Sequence, residues 1–380
     1  MSTIAKAKKT VVCPTCLSKR TEVVYINKHG YFVHNERPLA LTISACEDCQ
    51  FVFQSSAYTK QYDDTVAREY KLFNKSAYFP FPYRGRKNLE TLEFLMRHLP
   101  KRENLHILEI GSNRGDLLYL IKERIPSAHI LGIDPTPCAH ESIPTINSFF
   151  NKKLFKNRFD VIILQHTFEH IKYPQKMLKE IEEMLTDEGM VYIEVPDRDN
   201  AFKYCVEDFS IDHVNYFNLS SLSKILNTLT ICHYDRSTFL KVIAKKFCSE
   251  SISIQSEVVD IRKSFKQFSS KRESILEHIK EYSSGDKKIV FYGVSFYFRK
   301  LFREVIAITG IDKKACYYYD DSFKEPFEEC FKLERVKKFD TGSIVVICST
   351  DFEVQRDIEK KLSRHKGLTI VSPWSTVTTT

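Results

Sequence analysis

From Leu105 to Val195 the chain alternates short apolar runs with helical patterns, and this alternation limits the fold more than any other feature. Leu105-His-Ile-Leu-Glu-Ile, His129-Ile-Leu-Gly-Ile, an edge near Pro144 to Phe150, Phe159-Asp-Val-Ile-Ile-Leu and Met190-Val-Tyr-Ile-Glu-Val read as strands. Helical patterns over Asp116 to Glu123 and Pro174 to Leu185 separate them, after an entering helix near Asn88 to His98. Strands this apolar are buried on both faces. The pattern therefore predicts an α/β fold, a mostly parallel sheet with helices on each side.

The flanks read differently. Residues 1 to about 65 hold Cys13-Pro-Thr-Cys16 and Cys46-Glu-Asp-Cys49, with strand-like runs Glu22 to Ile26 and Leu39 to Ile43 between them. Each C-x2-C turn offers two thiolates. Two such turns close a structural four-sulfur zinc site of Cys13, Cys16, Cys46 and Cys49, with no ligand position left for chemistry. Four reduced cysteines without metal is the plainer alternative, and neither pair opens a helix as a thioredoxin-like redox pair does. Behind the central segment a long polar helix pattern, Ser251 to Tyr282, leads into Lys288-Ile-Val-Phe-Tyr, Gly293 and a helix from Arg299 to Ile308. Ala315-Cys-Tyr-Tyr-Tyr, ending at Asp320 and Asp321, and Ser343-Ile-Val-Val-Ile-Cys follow, a second βαβ arrangement. The expected organisation is a zinc-binding domain over 1–65, a core over 66–245 and a C-terminal α/β, Rossmann-like domain over 246–380.

At 380 residues and 43% hydrophobic, the chain exceeds one ordinary core and has the apolar side chains to fill several. Residues 1 to 12 carry lysines but no apolar h-region, and no apolar run approaches the ~20 residues that span a bilayer. A cytoplasmic protein without a membrane partner is expected. Its eleven cysteines then sit in a reducing compartment, where metal binding and burial are favoured over disulfides. The formal charge of +8 suits an acidic small substrate, yet a solvated basic surface accounts for it equally, and nucleic acid is not the expected partner.

The chemistry concentrates in Glu109-Ile-Gly111-Ser112-Asn113-Arg114-Gly115, between a strand and a helix. A glycine at the strand end lets backbone approach a ligand, and the helix start supplies unpaired N–H donors. Asp134 ends the next strand, where a carboxylate can take the two hydroxyls of a ribose. The loop lacks the second glycine of G-x-G-x-x-G, which argues against a nicotinamide cofactor. Glu109 would repel a pyrophosphate but suits a cofactor with a sulfonium and an amine. Adenosine plus positive charge is the physical reading, and S-adenosylmethionine fits it.

Leu108-Glu-Ile-Gly-Ser-Asn-Arg-Gly-Asp-Leu-Leu, with Gly132-Ile-Asp134-Pro135, resembles motif I and the second-strand acid of class I methyltransferases. The E-I-G-S-N wording is similar to that of the nucleotide-sugar C-methyltransferase family in particular. That family carries a four-cysteine N-terminal zinc domain, a Phe-Phe after the third strand (here Phe149, Phe150) and a C-terminal α/β domain. The resemblance implies a Rossmann-like core in which Glu109, Gly111, Ser112, Asn113 and Gly115 shape the methionine end of the cofactor pocket. Asp134, next to Pro135, would hold the ribose, and Phe149 or Phe150 the adenine. Gln165 and His166 would line the rim.

His166-Thr-Phe-Glu169-His170 also matches an inverted zinc-peptidase signature, but it comes straight off a strand rather than lying on a helix. His170 before Ile-Lys-Tyr-Pro174 better resembles the E-H-I-x-x-P segment of class I methyltransferases, where the histidine is structural or catalytic. Asp212-His213-Val-Asn-Tyr216-Phe217 is similar to the sugar C-methyltransferase segment Tyr-His-Glu-His-x-x-Tyr-Phe, whose last histidine acts as base. His213 matches that histidine and Asp212 the family's glutamate, while Ser210 and Ile211 replace the tyrosine and first histidine.

The implied reaction removes a proton from carbon next to a 4-keto group of a nucleotide-linked sugar and methylates that carbon. A histidine near neutral pKa suits that step, and an adjacent carboxylate could orient it. The tyrosine is missing, and Ser237-Thr-Phe-Leu-Lys-Val stands where the family has His-Gly-Gly-x-x-Arg. Methylation on oxygen or nitrogen of a related metabolite, a zinc-headed RNA methyltransferase, and a cofactor-binding protein without turnover therefore stay open. So does plain packing of His213 beside Tyr216 and Phe217. Gly293 to Arg299 with Asp320 and Asp321 resembles the family's C-terminal domain, which implies substrate contact or scaffolding rather than a second cofactor. No oligomeric state follows from these residues.

Overall fold

The computed structural model describes residues 11–30, 39–73, 82–135, 140–204, 209, 211–237, 239–248, 252, 254, 259–282, 287–293, 310, 313–319, 334–348, 352–372 and 378–379. Ser210, the expected helix from Arg299 to Ile308, and Asp320 and Asp321 lie outside the described residues. Three strands, β1 (Thr21–Gly30), β2 (Leu39–Cys46) and β3 (Val52–Gln54), and the helix α1 (Lys60–Phe73) precede the central segment. The apolar runs of the centre form β4 (His106–Ile110), β5 (His129–Ile133), β6 (Thr145–Ile146), β7 (Phe159–Gln165) and β8 (Leu185–Val195). A two-residue strand, β9 (Asn215–Tyr216), precedes the hairpin strands β10 (Thr230–Asp235) and β11 (Leu240–Lys245).

Seven strands pair in the order β10-β11-β8-β7-β4-β5-β6. β4 to β8 run parallel, and β11 is antiparallel to both β8 and β10. This is the Rossmann-like arrangement expected from the sequence. β7 lies near the middle, and its residues Phe159 to Leu164 are all buried. On one face Ile162, Leu164, Val191 and Ile193 meet Met177, Leu178 and Ile181 of α4 (Pro174–Met184). On the other, Ile107, Val161, Ile163 and Tyr192 meet α2 (Pro82–His98) and α3 (Asp116–Arg124) through Leu92, Phe94, Leu95, Leu118 and Ile121. Each such side chain contributes roughly 1.5–3 kcal/mol by leaving water. That explains why sequence runs without polar alternation became central strands.

β8 starts at Leu185 rather than at Met190, because Leu185 already pairs with Phe159 ahead of an irregularity in the register. The C-terminal helix, Ile261–Tyr282, starts ten residues later than the periodicity suggests. Asp260 caps it there: its carboxylate accepts the Lys263 N–H at 3.0 Å.

Two compact units emerge: Met1–Asn27 with Leu41–Arg198 and Asp208–Val259, and Lys28–Ala40 with Asp199–Glu207 and Asp260–Thr380. The second unit holds β12 (Ile289–Tyr292), β13 (Cys316–Tyr319), β14 (Glu334–Arg335), β15 (Ile344–Ile347), β16 (Thr369–Val371) and β17 (Thr378–Thr379). Their order is β14-β13-β12-β15-β16-β17, parallel but for β17. The chain leaves β12 first to one side and later to the other, the doubly wound pattern expected of a Rossmann-like domain. No helix among the described residues is long and apolar enough to cross a membrane.

In the first unit His98 stacks on His233 with ring centroids 4.0 Å apart. Burial, then the charges of His233, Arg97 and Lys245, hold its pKa below the ordinary 6.5. The unfolded chain takes up this proton more readily than the folded one, so the stability tied to neutral His98 is complete above 6.5 and lost as the pH falls through the histidine range. Thermal melts from about pH 7 to about pH 5 should lose a few degrees more in the wild type than in His98→Phe. Equal losses would rule this contribution out.

Candidate active site and four-cysteine centre

The carboxyl ends of β4, β5, β7 and β8 converge, as they must where parallel strands share one direction. Gly111 leaves β4 at φ +77°, and a Cβ there would stand 2.1 Å from Thr167 Oγ1. Its N–H donates to the Ile133 carbonyl at 2.8 Å, closing the loop against the end of β5. Gly132 does similar work: a Cβ on it would lie 2.5 Å from Ser112 Oγ, so only glycine lets Ser112 tuck between β4 and β5. The Asn113 N–H donates to Asp134 Oδ2 at 2.9 Å, and Gly115, at φ +80°, opens α3. Pro135 follows Asp134 directly, half-buried.

Glu109 is 3% exposed, and its Oε2 has no hydrogen-bond partner among the described residues. Neither do Ser112 Oγ and Asn113 Oδ1. Burial, then the charges of Asp134 and Asp116, push the Glu109 carboxyl well above the usual carboxylate range. A buried acid with an unmet oxygen is costly unless a donor or cation arrives. The loop thus fits a ligand that brings positive charge and N–H groups, as the methionine end of S-adenosylmethionine does.

Around the rim the structure sorts the expected residues. Phe150 packs on Phe155 at 6.0 Å and joins the core, whereas Phe149 is 64% exposed. Gln165 Nε2 donates to Thr91 Oγ1 at 3.0 Å, and Thr91 donates to Glu194 Oε2 at 2.7 Å. His166 sits at φ +49°, with its N–H on the Glu194 carbonyl at 2.9 Å. Its ring bridges two buried acids, Nε2 lying 3.3 Å from Glu194 and Nδ1 3.5 Å from Glu169. Burial opposes the charge, but the contacts with Glu169 and Glu194 outweigh it and raise His166 to about 9. Against the same opposition, His166, Tyr192 and Thr91 hold Glu194 at about 2. Sequence reasoning overlooked Glu194 and Thr91. The signal was present, since Glu194 is the penultimate acid of an apolar strand just as Glu109 is.

His166 to His170 is a strand end and a single 3-10 turn (Phe168–His170), not the helix a peptidase site needs. That turn is clamped from the segment that carries His213. The Val214 N–H donates to the Glu169 carbonyl at 2.8 Å, Asn215 Nδ2 to the Ile171 carbonyl at 2.6 Å, and His170 Nδ1 bonds the Asp212 carbonyl at 2.7 Å. The rings of His170 and His213 are 5.0 Å apart at 67°. It is therefore the backbone of Asp212, together with His170, that the structure brings to this corner.

The N-terminal strands reach the same corner. β3 pairs antiparallel with β2 and with β9, making a sheet of order β1-β2-β3-β9. The buried Gln54 donates its N–H to the Val214 carbonyl at 2.8 Å, and its amide, oriented by its neighbours, donates to the carbonyls of His213 at 2.8 Å and Ile211 at 3.0 Å.

The two cysteine turns share one geometry. After each pair the chain turns through a left-handed residue, Leu17 at φ +59° and Gln50 at +62°. The N–H of Leu17 returns to the Cys13 carbonyl at 3.1 Å and that of Gln50 to the Cys46 carbonyl at 3.0 Å. Sulfur atoms meet across the turns, Cys13 to Cys49 at 3.7 Å and Cys16 to Cys46 at 3.5 Å. A tetrahedral ion with bonds of about 2.3 Å spaces its sulfurs about 3.8 Å apart, so the four side chains could hold zinc with little movement. The Cys49 thiol, then burial working the other way, leaves Cys13 at about 5, so one thiolate is already favoured.

Residues 83–229, under half of the chain, match the family model of a methyltransferase domain. No curated protein matches the sequence. Among solved structures the chain is similar to the plantazolicin methyltransferase BpumL in complex with SAH, at 18% identity over 50% of this chain and 93% of that one, with a TM-score of 0.36. An O-methyltransferase family protein from Burkholderia thailandensis aligns at 10% identity over 51% of this chain and 64% of that one, with a TM-score of 0.37. Coclaurine N-methyltransferase, bound to N-methylheliamine and SAH, aligns at 13% over 39% and 50%, with a TM-score of 0.32. Likenesses this distant bear on neither substrate nor chemistry.

Proposed function

We propose that the S-adenosylmethionine-dependent methyltransferase carried by this chain methylates a small nucleotide-linked sugar on the carbon next to a keto group, with His213 as base. The observation that carries the donor half is Glu109, buried with an unmet oxygen beside the glycine loop. Glu109, Gly111, Ser112, Asn113 and Gly115 would hold the methionine end, Asp134 beside Pro135 the ribose, and Phe149 or Phe150 the adenine. Gln165 and His166 would line the rim. When bound, the cofactor supplies an electrophilic methyl group. The acceptor half rests on the segment 165–170, which runs from Thr167 at Gly111 to His170 at His213. A proton acceptor there lies one turn of chain from the glycine loop. Asp212 and His170 would orient His213, the first from its place in the family's segment and the second from ring contact.

The spacing of the four sulfurs supports a structural zinc at Cys13, Cys16, Cys46 and Cys49. Methylation on oxygen or nitrogen is the second reading, and one observation favours it. Ile211, in place of the family's first histidine, is buried and apolar, so it offers no donor to an enolate oxygen.

The test is methyl transfer from labelled S-adenosylmethionine to a nucleotide-linked 4-keto-6-deoxy sugar in deuterated buffer. Label should appear on ring carbon and fall at least ~100-fold in His213→Ala, the scale of a lost general base. Label on oxygen, or full activity in His213→Ala, would sink the carbon reading.

A further inference from the structure

We propose that Glu169, His170 and His213 form a second metal centre, distinct from the four cysteines, that binds a divalent transition ion. One ligand atom from each lies within 4.8 Å of the other two. Glu169 is 1% exposed, and neither of its carboxylate oxygens has a hydrogen-bond partner among the described residues. The nearest ring nitrogens are His166 Nδ1 at 3.5 Å and His170 Nε2 at 4.0 Å, both on Oε1 and too long for good hydrogen bonds. Oε1 has only these long contacts, and Oε2 of this buried carboxylate is left for something to satisfy; an ion between Glu169 and His170 does so.

His170 is prepared as a ligand. Its Nδ1 lies 2.7 Å from the Asp212 carbonyl, and since a carbonyl only accepts, Nδ1 carries the proton. Nε2 then holds the lone pair, on the side of Glu169. Metal-bound histidines characteristically give their other N–H to a carbonyl or carboxylate in this way. The His213 ring meets that of His170 at 67° instead of stacking flat on it, which lets both edges converge. The backbone is fixed from both sides, by Val214 N–H on the Glu169 carbonyl and Gln54 N–H on the Val214 carbonyl, each at 2.8 Å.

Two imidazoles and one carboxylate select a zinc, iron or manganese ion over magnesium or calcium, and three protein ligands leave positions open. Those positions suit the keto or hydroxyl oxygen of an acceptor. What the ion acts on rests on the methyltransferase reading above; the binding does not. With an ion in place the His213 lone pair is occupied, so its role as a free base belongs to the ion-free enzyme.

The test titrates the full chain, with its cysteine centre loaded with zinc, with Mn2+ under electron paramagnetic resonance. One Mn2+ should bind per chain, and affinity should fall on the order of 100-fold in Glu169→Gln and in His170→Ala. S-Adenosylmethionine binding by calorimetry checks that each variant is folded. No binding to the wild type, or unchanged binding in both folded variants, overturns the proposal. Mn2+ binding without methylation of any sugar leaves the centre standing and removes the acceptor reading. Undiminished methylation by protein freed of Mn2+ with a chelator overturns any role for the ion in the reaction and leaves His213 as base.

Discussion

Cys46→Ser should abolish the zinc binding proposed for the N-terminal centre and take most of the methyl-transfer activity with it. Cys46 is fully buried and lies 3.5 Å from Cys16, so the change removes one of the four sulfurs from inside the centre. Structural zinc contributes about 10–16 kcal/mol to small metal-bound folds, as much as the whole stability of a typical domain. Without it the two turns, left-handed at Leu17 and Gln50, keep only the Glu47 N–H on the Arg20 carbonyl at 2.9 Å and the exposed contacts of Ser18 and Arg20 with Glu47 and Asp48 among the described residues. β3 then loses its anchor, and with it go the Gln54 bonds to the carbonyls of Ile211, His213 and Val214. The glycine loop is held by β4 and β5 instead and should keep cofactor affinity within about tenfold, since contacts to the two regions are separate. Metal content, cofactor calorimetry and turnover on the same preparation decide it. Zinc lost with turnover intact would show that the head does not position the His213 segment.

Gly111→Ala should weaken S-adenosylmethionine binding on the order of 100-fold while leaving the sheet folded. The substitution meets two obstacles at once. A side chain at φ +77° costs about 1–2 kcal/mol in backbone strain. Its Cβ would also overlap Thr167, 2.1 Å from Oγ1 and 2.8 Å from Cγ2, so the loop or Thr167 must move. Together these approach about 3 kcal/mol, which is the expected loss in affinity. Adding Thr167→Ala relieves most of the overlap but not the strain and should recover about tenfold. Wild-type affinity in Gly111→Ala would remove this loop from the cofactor site.

What the sequence made legible was local. The strand, glycine loop and helix from Leu108 to Leu118 lie on contiguous chain, and each cysteine pair is read from four residues. The acids that end β4 and β5 follow from strand length alone. Contacts between distant segments were not legible. β9 is two residues long and carries no periodicity, and its partner Val52 lies some 160 residues earlier. The bond from His170 to the Asp212 carbonyl involves no side chain of Asp212, so an acid read as orienting His213 gave no hint of it. Glu194 was hidden by its own strand, whose apolar run marked it for burial but not the Thr91, Tyr192 and His166 groups that gather on it.

The sheet that joins β3 to β9 also sets an order of assembly during synthesis. The cysteine turns are complete once about fifty residues have emerged, and they can take up metal then, because their ligands are near in sequence. Edge strand β3 must wait, its outer side unpaired, until Asn215 and Tyr216 leave the ribosome. At about 5–20 residues per second that wait lasts on the order of ten seconds or more. An exposed strand edge beside the completed cysteine turns is the interval in which this chain is most open to pairing with another copy of itself. The corner carrying Glu169, His170 and His213 thus closes only once β9 has emerged, well after β4 and β5, the strands that hold the glycine loop, have been made.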